Sequence, residues 1–365
     1  MVLHSKVFHG RDCIFPTTPP SRDESGSVLR ETVALNSTGV SALTFAARCA
    51  FSDSLRGRVH VFGSPVIESR RLVNGVTLRA RTLDYYSAAC GVSVEEILGR
   101  LYACDWREAA THDQRASLCE RDGASGFRIV NPITWMRNDR PRRDRATGLP
   151  LAFGIRNSRL NRVLQDLAVE AGVTLHDAPG LSADEMRSKV GSESVLLVNG
   201  TPAPVKDAAL TNPPTPPNQF VAAVQMPFSS PRLAARGVIE PHSAFIGWVH
   251  RDGAIDMGVY YPFRDDLSPE ATFYGIFYRV VRAEGLDKDA ELEALRDTVI
   301  GVGDALGLEP VDPEETEGVA CVPVSPWKGT VNRQDGILDL SRLAGAGAPI
   351  ITGDGMTRAG VAGYV

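Results

Sequence analysis

The chain has 365 residues, 43% of them hydrophobic, and a formal net charge of -5, which is enough to bury a sizeable core in two interleaved domains. The mildly acidic balance offers no global field for nucleic acid, and the one basic cluster, Arg137 to Arg145, is broken by Asp139, Pro141 and Asp144 as in a solvated loop. No apolar run reaches the ~20 residues that cross a bilayer, the start lacks a signal peptide's apolar middle, and the six cysteines and seven histidines show no ligand spacing; a cytoplasmic protein without metal or disulfide framework is expected.

Residues 1–30, rich in Pro, Ser and acidic side chains, read as an N-terminal extension. A β-α-β unit follows: a buried strand at Val33–Leu35, an Ala-rich helix at Val40–Ser52 and a second strand at Arg58–Phe62. Helical spacing recurs over Arg79–Ala89 and Val94–Cys104, and a helical insert is expected across 79–125. The segment Arg156–Gly172 is an amphipathic helix closed by a glycine, and strands follow at Thr174–His176 and Ser194–Val198. From Gln219 to Phe263 the pattern changes to consecutive antiparallel strands with a turn at Arg251-Asp-Gly253. A helical insert over about Pro269–Leu306, a strand at Val319–Val324 and a return to the first domain at Pro349 complete the reading.

Three segments carry chemistry. The turn after the first strand has Ser37, Gly39 and Ala42 at the three places of a Gly-x-Gly-x-x-Gly pattern, where the middle glycine lets the backbone approach a pyrophosphate and a small third residue lets helix and strand pack. Asn199-Gly200 follows a central strand. Near the end an apolar strand, Pro349-Ile-Ile-Thr352, runs into Gly353, Asp354 and Gly355 and then a helix of small residues, an arrangement that points free N–H groups at an anionic cofactor. The second strand ends in Gly63, where a dinucleotide-binding unit usually has an acidic residue on the ribose; Glu68, further on, is a candidate to take its place.

The order of these elements, over about residues 31–365, resembles the flavoprotein hydroxylase superfamily, which includes aromatic hydroxylases and styrene or squalene epoxidases. The resemblance implies an α/β fold: a Rossmann-like, glutathione-reductase-like FAD-binding domain (31–204, completed by 345–365) interleaved with an antiparallel β-sheet substrate domain carrying helices (205–344). It implies FAD held by Ser37, Gly39, Ala42, Asn199, Gly353, Asp354 and Gly355, with Arg79 and Arg81 in a region similar to the family's cofactor-contacting arginine segment. The chain departs from the family pattern at Ser37, Gly63 and Asn199, which implies weak anchoring of the cofactor.

Function is therefore expected to be FAD-dependent monooxygenation, hydroxylation or epoxidation, of a hydrophobic small molecule, with a separate reductase as a candidate source of reduced flavin. The alternatives are a cyclase or isomerase of secondary metabolism whose flavin is non-redox or lost, and a non-catalytic partner. Trp248, Tyr260 and Phe263 are candidates for the substrate cavity, although alternation keeps Tyr260 and Tyr261 from sharing a face. Asp256, between apolar neighbours, is the candidate catalytic carboxylate with a raised pKa, or else an exposed edge residue. The pairs His112-Asp113 and His176-Asp177 lack a nucleophile elbow, and no Trp-x-Trp accompanies the isolated tryptophans, so hydrolysis and halogenation are not expected.

Overall fold

A computed structural model describes residues 32–66, 75–123, 126–134, 148–191, 195–199, 219–251, 254–313, 318–324 and 350–351. In chain order the first half runs β1 (Thr32–Leu35), α1 (Val40–Ala50), β2 (Val59–Gly63), β3 (Gly75–Arg79), α2 (Ala80–Cys90), α3 (Val94–Leu101), a 3-10 turn (Trp106–Ala109), β4 (Ala110–Thr111), β5 (Asp113–Asp122), β6 (Gly126–Thr134), β7 (Ala152–Arg156) and α4 (Asn157–Glu170). The second half runs β8 (Thr174–Asp177), α5 (Ala183–Val190), β9 (Val195–Asn199), β10 (Gln219–Ser229), α6 (Leu233–Arg236), β11 (Ser243–Arg251), β12 (Ala254–Pro262), β13 (Phe273–Arg282), α7 (Lys288–Leu306), β14 (Glu309–Pro310), β15 (Gly318–Val324) and β16 (Ile350–Ile351).

Five strands form a parallel sheet in the order β16-β9-β1-β2-β8. All four β1 residues are buried, as expected of a strand covered on both faces. Val33, Leu35, Val59 and Val61 turn to the face packed by α1 and α4, where Ala42, Leu43, Ala46, Ala47, Leu160, Leu164 and Leu167 meet them. Ala34 and Phe62 turn to the other face, against Met186 of α5. Small residues on the buried side of α1 let it lie close to the strands, and a serine capping box at Ser182 and Glu185 starts α5.

The second layer is an eight-stranded mixed sheet: β14-β10-β13-β12-β11-β5-β6, with β15 also on β10. Its pairs are antiparallel except β11 with β5, which is parallel. Along each strand one residue in two faces α7, so Phe228, Phe245, Tyr260 and Phe277 close over Leu295, Val299, Val302 and Leu306; burial of each such side chain is worth about 1.5–3 kcal/mol. A three-stranded sheet, β3-β7-β4, joins the two layers. At that junction β7 presses on β12 so closely that a Cβ on Gly154 would overlap the Pro262 carbonyl oxygen.

Two expectations change. Residues 113–122 are a strand of the large sheet rather than the end of a helical insert over 79–125, and with the strand at 126–134 that follows, a stretch placed in the first domain contributes to the second sheet. The charge-rich run of β5 has little strand signature of its own, and its pairing with β11 and β6 decides it. Phe273–Arg282 is a ten-residue strand, and the helical insert shrinks to Lys288–Leu306. Among the described residues no helix is long and apolar enough to cross a membrane.

Candidate functional site

The carboxyl ends of three parallel strands meet at one edge. Leu35 of β1 pairs with Val198 of β9, and Ile350 and Ile351 of β16 pair with Val198 and Asn199. The chain leaves β1 toward β2 on one side while β9 lies on the other, and such a reversal opens a crevice above the sheet edge, where ligands bind in open α/β folds. Gly353, Asp354 and Gly355 lie outside the described residues; Ile351, two positions before Gly353, stands at this edge. For Arg81 and Asn199 only the backbone is described.

Ser37 and Gly39 form the turn above β1. Gly39 is the N-cap of α1, so the amides of Val40, Ser41 and Ala42, which have no intrahelical acceptor, open toward the crevice, and no acidic side chain occupies the first turn. A Cβ on Gly39 would stand 3.3 Å from Ser37 Oγ. That hydroxyl accepts from the Gly39 N–H at 3.1 Å, so one amide of the turn is already paired within the chain. Ala42 is buried against the sheet, consistent with a packing role at the third place.

At the end of β2 the structure supplies a reason for Gly63. An ideal Cβ there would lie 2.9 Å from Thr38 Cγ2, and the Thr38 hydroxyl donates to the Ser64 carbonyl at 3.0 Å. Thr38, which the motif leaves unspecified, thus fills the place of the usual carboxylate. The cradle accordingly suits an extended diphosphate: free helix-start amides and a close backbone approach fit it, while the ribose carboxylate is missing from β2. Arg79 is exposed at the N-cap of α2.

The residues expected around a substrate separate. Tyr260 does not face a cavity: its hydroxyl donates to the Val299 carbonyl beneath α7, and its ring meets Phe228 and Phe277 edge-on. Tyr261, its neighbour, takes the opposite face with Tyr274, Phe263 and Ala244, and among the described residues its buried hydroxyl has no hydrogen-bond partner. Phe263 is fully buried there, its ring 4.9 Å from that of Tyr274 and 5.6 Å from the Arg156 guanidinium carbon. Trp248 is half-buried, and alternation puts it on the face opposite Val249, away from α7.

Asp256 is neither a free acid nor an exposed edge residue. It is fully buried, and both carboxylate oxygens accept from Arg279, which also pairs with Glu291 of α7. A carboxylate engaged in this way stabilises its partner's charge and has no opening to a substrate. Arg156, which the sequence placed as the first residue of a helix, is the largest fully buried side chain among the described residues; it pairs with Asp265 and reaches Ser268 Oγ at 3.4 Å. Its only sequence signal was a charge ending an apolar strand, Phe153-Gly-Ile-Arg156.

Two further clusters bear on chemistry. His60 Nδ1 and His176 Nε2 are 3.0 Å apart on adjacent strands, and His176 stacks on Phe62; burial holds both imidazoles below their usual pKa, with His176 adding to the effect on His60 and Lys189 to that on His176. Burial pushes the thiols of Cys49 and Cys119 up to about 12 and that of Cys90 up to about 11, so none of the three offers a thiolate at neutral pH. Among the described residues no group of three or more potential metal ligands converges.

No protein-family model matches the chain, and no curated protein matches its sequence. Among solved structures it is similar to aklavinone-11 hydroxylase in ternary complex with FAD and aklavinone, at 14% identity and a TM-score of 0.51, over 89% of this chain and 57% of that one. It is also similar to 2-methyl-3-hydroxypyridine-5-carboxylic acid oxygenase (13% identity, TM-score 0.48, 90% and 75%) and to a flavin-dependent halogenase from Xanthomonas campestris (10%, 0.47, 90% and 66%). The feature shared with aklavinone-11 hydroxylase is the fold, a mixed α/β architecture, and this chain spans little more than half the length of that protein.

Proposed function

We propose, from this flavoprotein hydroxylase fold, that the protein is an FAD-dependent monooxygenase acting on a hydrophobic small molecule. The observation that carries the reading is the start of α1, with its unpaired first-turn amides, standing at the carboxyl edge of β1 where β9 and β16 also end. In this reading the parallel sheet is the core of a glutathione-reductase-like FAD-binding domain over 31–204 and 345–365, and the large sheet belongs to a substrate domain over 205–344 that borrows β5 and β6. The protein would act in the cytoplasm, in secondary metabolism.

Val40, Ser41 and Ala42 would donate to the pyrophosphate, Gly39 would admit it, and Asp354 with Gly353 and Gly355 would close the other side. Arg79 and Arg81 would neutralise phosphate charge, and Asn199 would lie at the flavin end. FAD, once bound and reduced, supplies the oxygen-activating chemistry. The chain's own residues bind, orient and exclude water: Tyr261, Phe263 and Trp248 lie on the sheet face turned from α7, and a dry apolar wall there would shield the reacting centre.

The pairing of Ser37 Oγ with the Gly39 amide leaves the turn one donor short, which favours a loosely held, exchangeable cofactor and delivery of reduced flavin by a separate reductase. The same observation supports a second reading, a cyclase or isomerase on this fold in which flavin is non-redox. Visible absorbance after reconstitution with FAD tests cofactor binding, and oxygen uptake with chemically reduced flavin and a panel of aromatic and polyketide-like compounds tests oxygenation. A colourless protein after reconstitution, or flavin binding without substrate-dependent oxygen uptake, would defeat the oxygenase reading.

A further inference from the structure

We propose that Asp177, at the end of β8, carries the adenosine-ribose recognition that position 63 has lost. The inference rests on the proposed FAD-binding reading and assigns a residue to it. Parallel pairing sets Gly63 opposite Asp177, so their Cα atoms are about 4.8 Å apart at the carboxyl edge. Strand alternation then fixes the side. His60 and Phe62 turn toward α5, where His176 stacks on Phe62. Val59, Val61 and Leu175 turn toward α1 and α4, and Gly63 and Asp177 fall in their register.

Asp177 sits at the centre of a tight turn closed by the Ala178 N–H donating to the His176 carbonyl at 2.8 Å. It is exposed and, among the described residues, its carboxylate has no ion pair or hydrogen bond. No acid can be accommodated at 63 unless Thr38 moves, since the methyl of Thr38 lies where the side chain would begin. A ligand whose diphosphate rests on α1 and whose nucleoside runs outward over β2 is thereby directed to β8, two strand spacings or roughly 10 Å from β1. There a free carboxylate can accept from the ribose diol, and its charge would repel a 2′-phosphate.

The test is calorimetric titration of the full chain and of Asp177→Asn and Asp177→Ala with FAD, ADP, adenosine 2′,5′-bisphosphate and inorganic pyrophosphate. The expected result is a loss of about tenfold or more for FAD and ADP, no loss for pyrophosphate, which has no ribose, and a gain for adenosine 2′,5′-bisphosphate in Asp177→Ala. Unchanged ADP binding, a parallel loss for pyrophosphate, or an unaltered chain that prefers the 2′-phosphate would overturn the assignment while leaving FAD binding intact. If the unaltered chain binds neither FAD nor ADP, the cofactor reading itself fails and the assignment falls with it.

Discussion

Ser37 sets how many amides the β1–α1 turn presents, because its hydroxyl competes with any phosphate for the Gly39 N–H. Ser37→Gly frees that donor, and one neutral hydrogen bond is worth about 0.5–1.5 kcal/mol net; FAD binding should tighten about two- to tenfold in a fluorescence-quenching titration, and weaker binding would show that the hydroxyl itself helps hold the cofactor. Asp256 gives the opposite kind of prediction. Among the described residues Asp256→Asn leaves buried Arg279 with Glu291 alone as a charged partner, so urea denaturation should register a loss of about 3 kcal/mol or more with flavin affinity unchanged. A stable variant that had lost only turnover would restore the catalytic role that the geometry removes.

Adjacent elements make their own demands. The closeness of β7 to β12 requires glycine at 154, and Gly154→Ala should cost about 1–3 kcal/mol or more, read from the thermal midpoint, since the obstacle is the Pro262 carbonyl rather than a side chain that can rotate. The edge strand β8 is tied to β2 through His60 and His176. Both imidazoles have folded pKa values below the usual ~6.5. Their contribution to stability is therefore fully present above about pH 6.5, where the rings are neutral in both states, and is lost as pH falls through that value toward the folded pKa, because the unfolded chain takes up protons that the folded chain refuses. The urea midpoint should drop between pH 7.5 and 5.5, and the double replacement His60→Gln, His176→Gln should flatten that drop. An unchanged slope would assign the acid sensitivity to other groups.

Across the whole molecule, the joint between the two layers is polar and buried. Arg156, at the end of β7, pairs with Asp265 beyond β12 and lies against Phe263, while the Tyr102 hydroxyl donates to the Gly154 carbonyl at 2.9 Å. Arg156→Leu should leave Asp265 buried and uncompensated, at a cost of about 3–5 kcal/mol, and limited proteolysis should then cut the chain between the parallel sheet and the large sheet; resistance equal to that of the unaltered protein would show that apolar packing alone holds the joint.

The β-α-β opening, α4, β8, β9 and the antiparallel run from Gln219 to Phe263 were legible in the amino-acid sequence, because each advertises its own period or its capping residue. The turn at Ser37 and Gly39 was legible for the same local reason. β13 was not, since Phe273–Phe277 is buried on nearly every residue and so shows no alternation, and β5 was not, since its charged residues become a strand only between β11 and β6. Local patterning determines which segments turn or extend. Whether Asp256 meets a substrate or Arg279, which of Tyr260 and Tyr261 faces α7, and that Thr38 stands over Gly63 beside Asp177 were decided by tertiary structure, because they depend on partners far apart in the chain that only packing brings together.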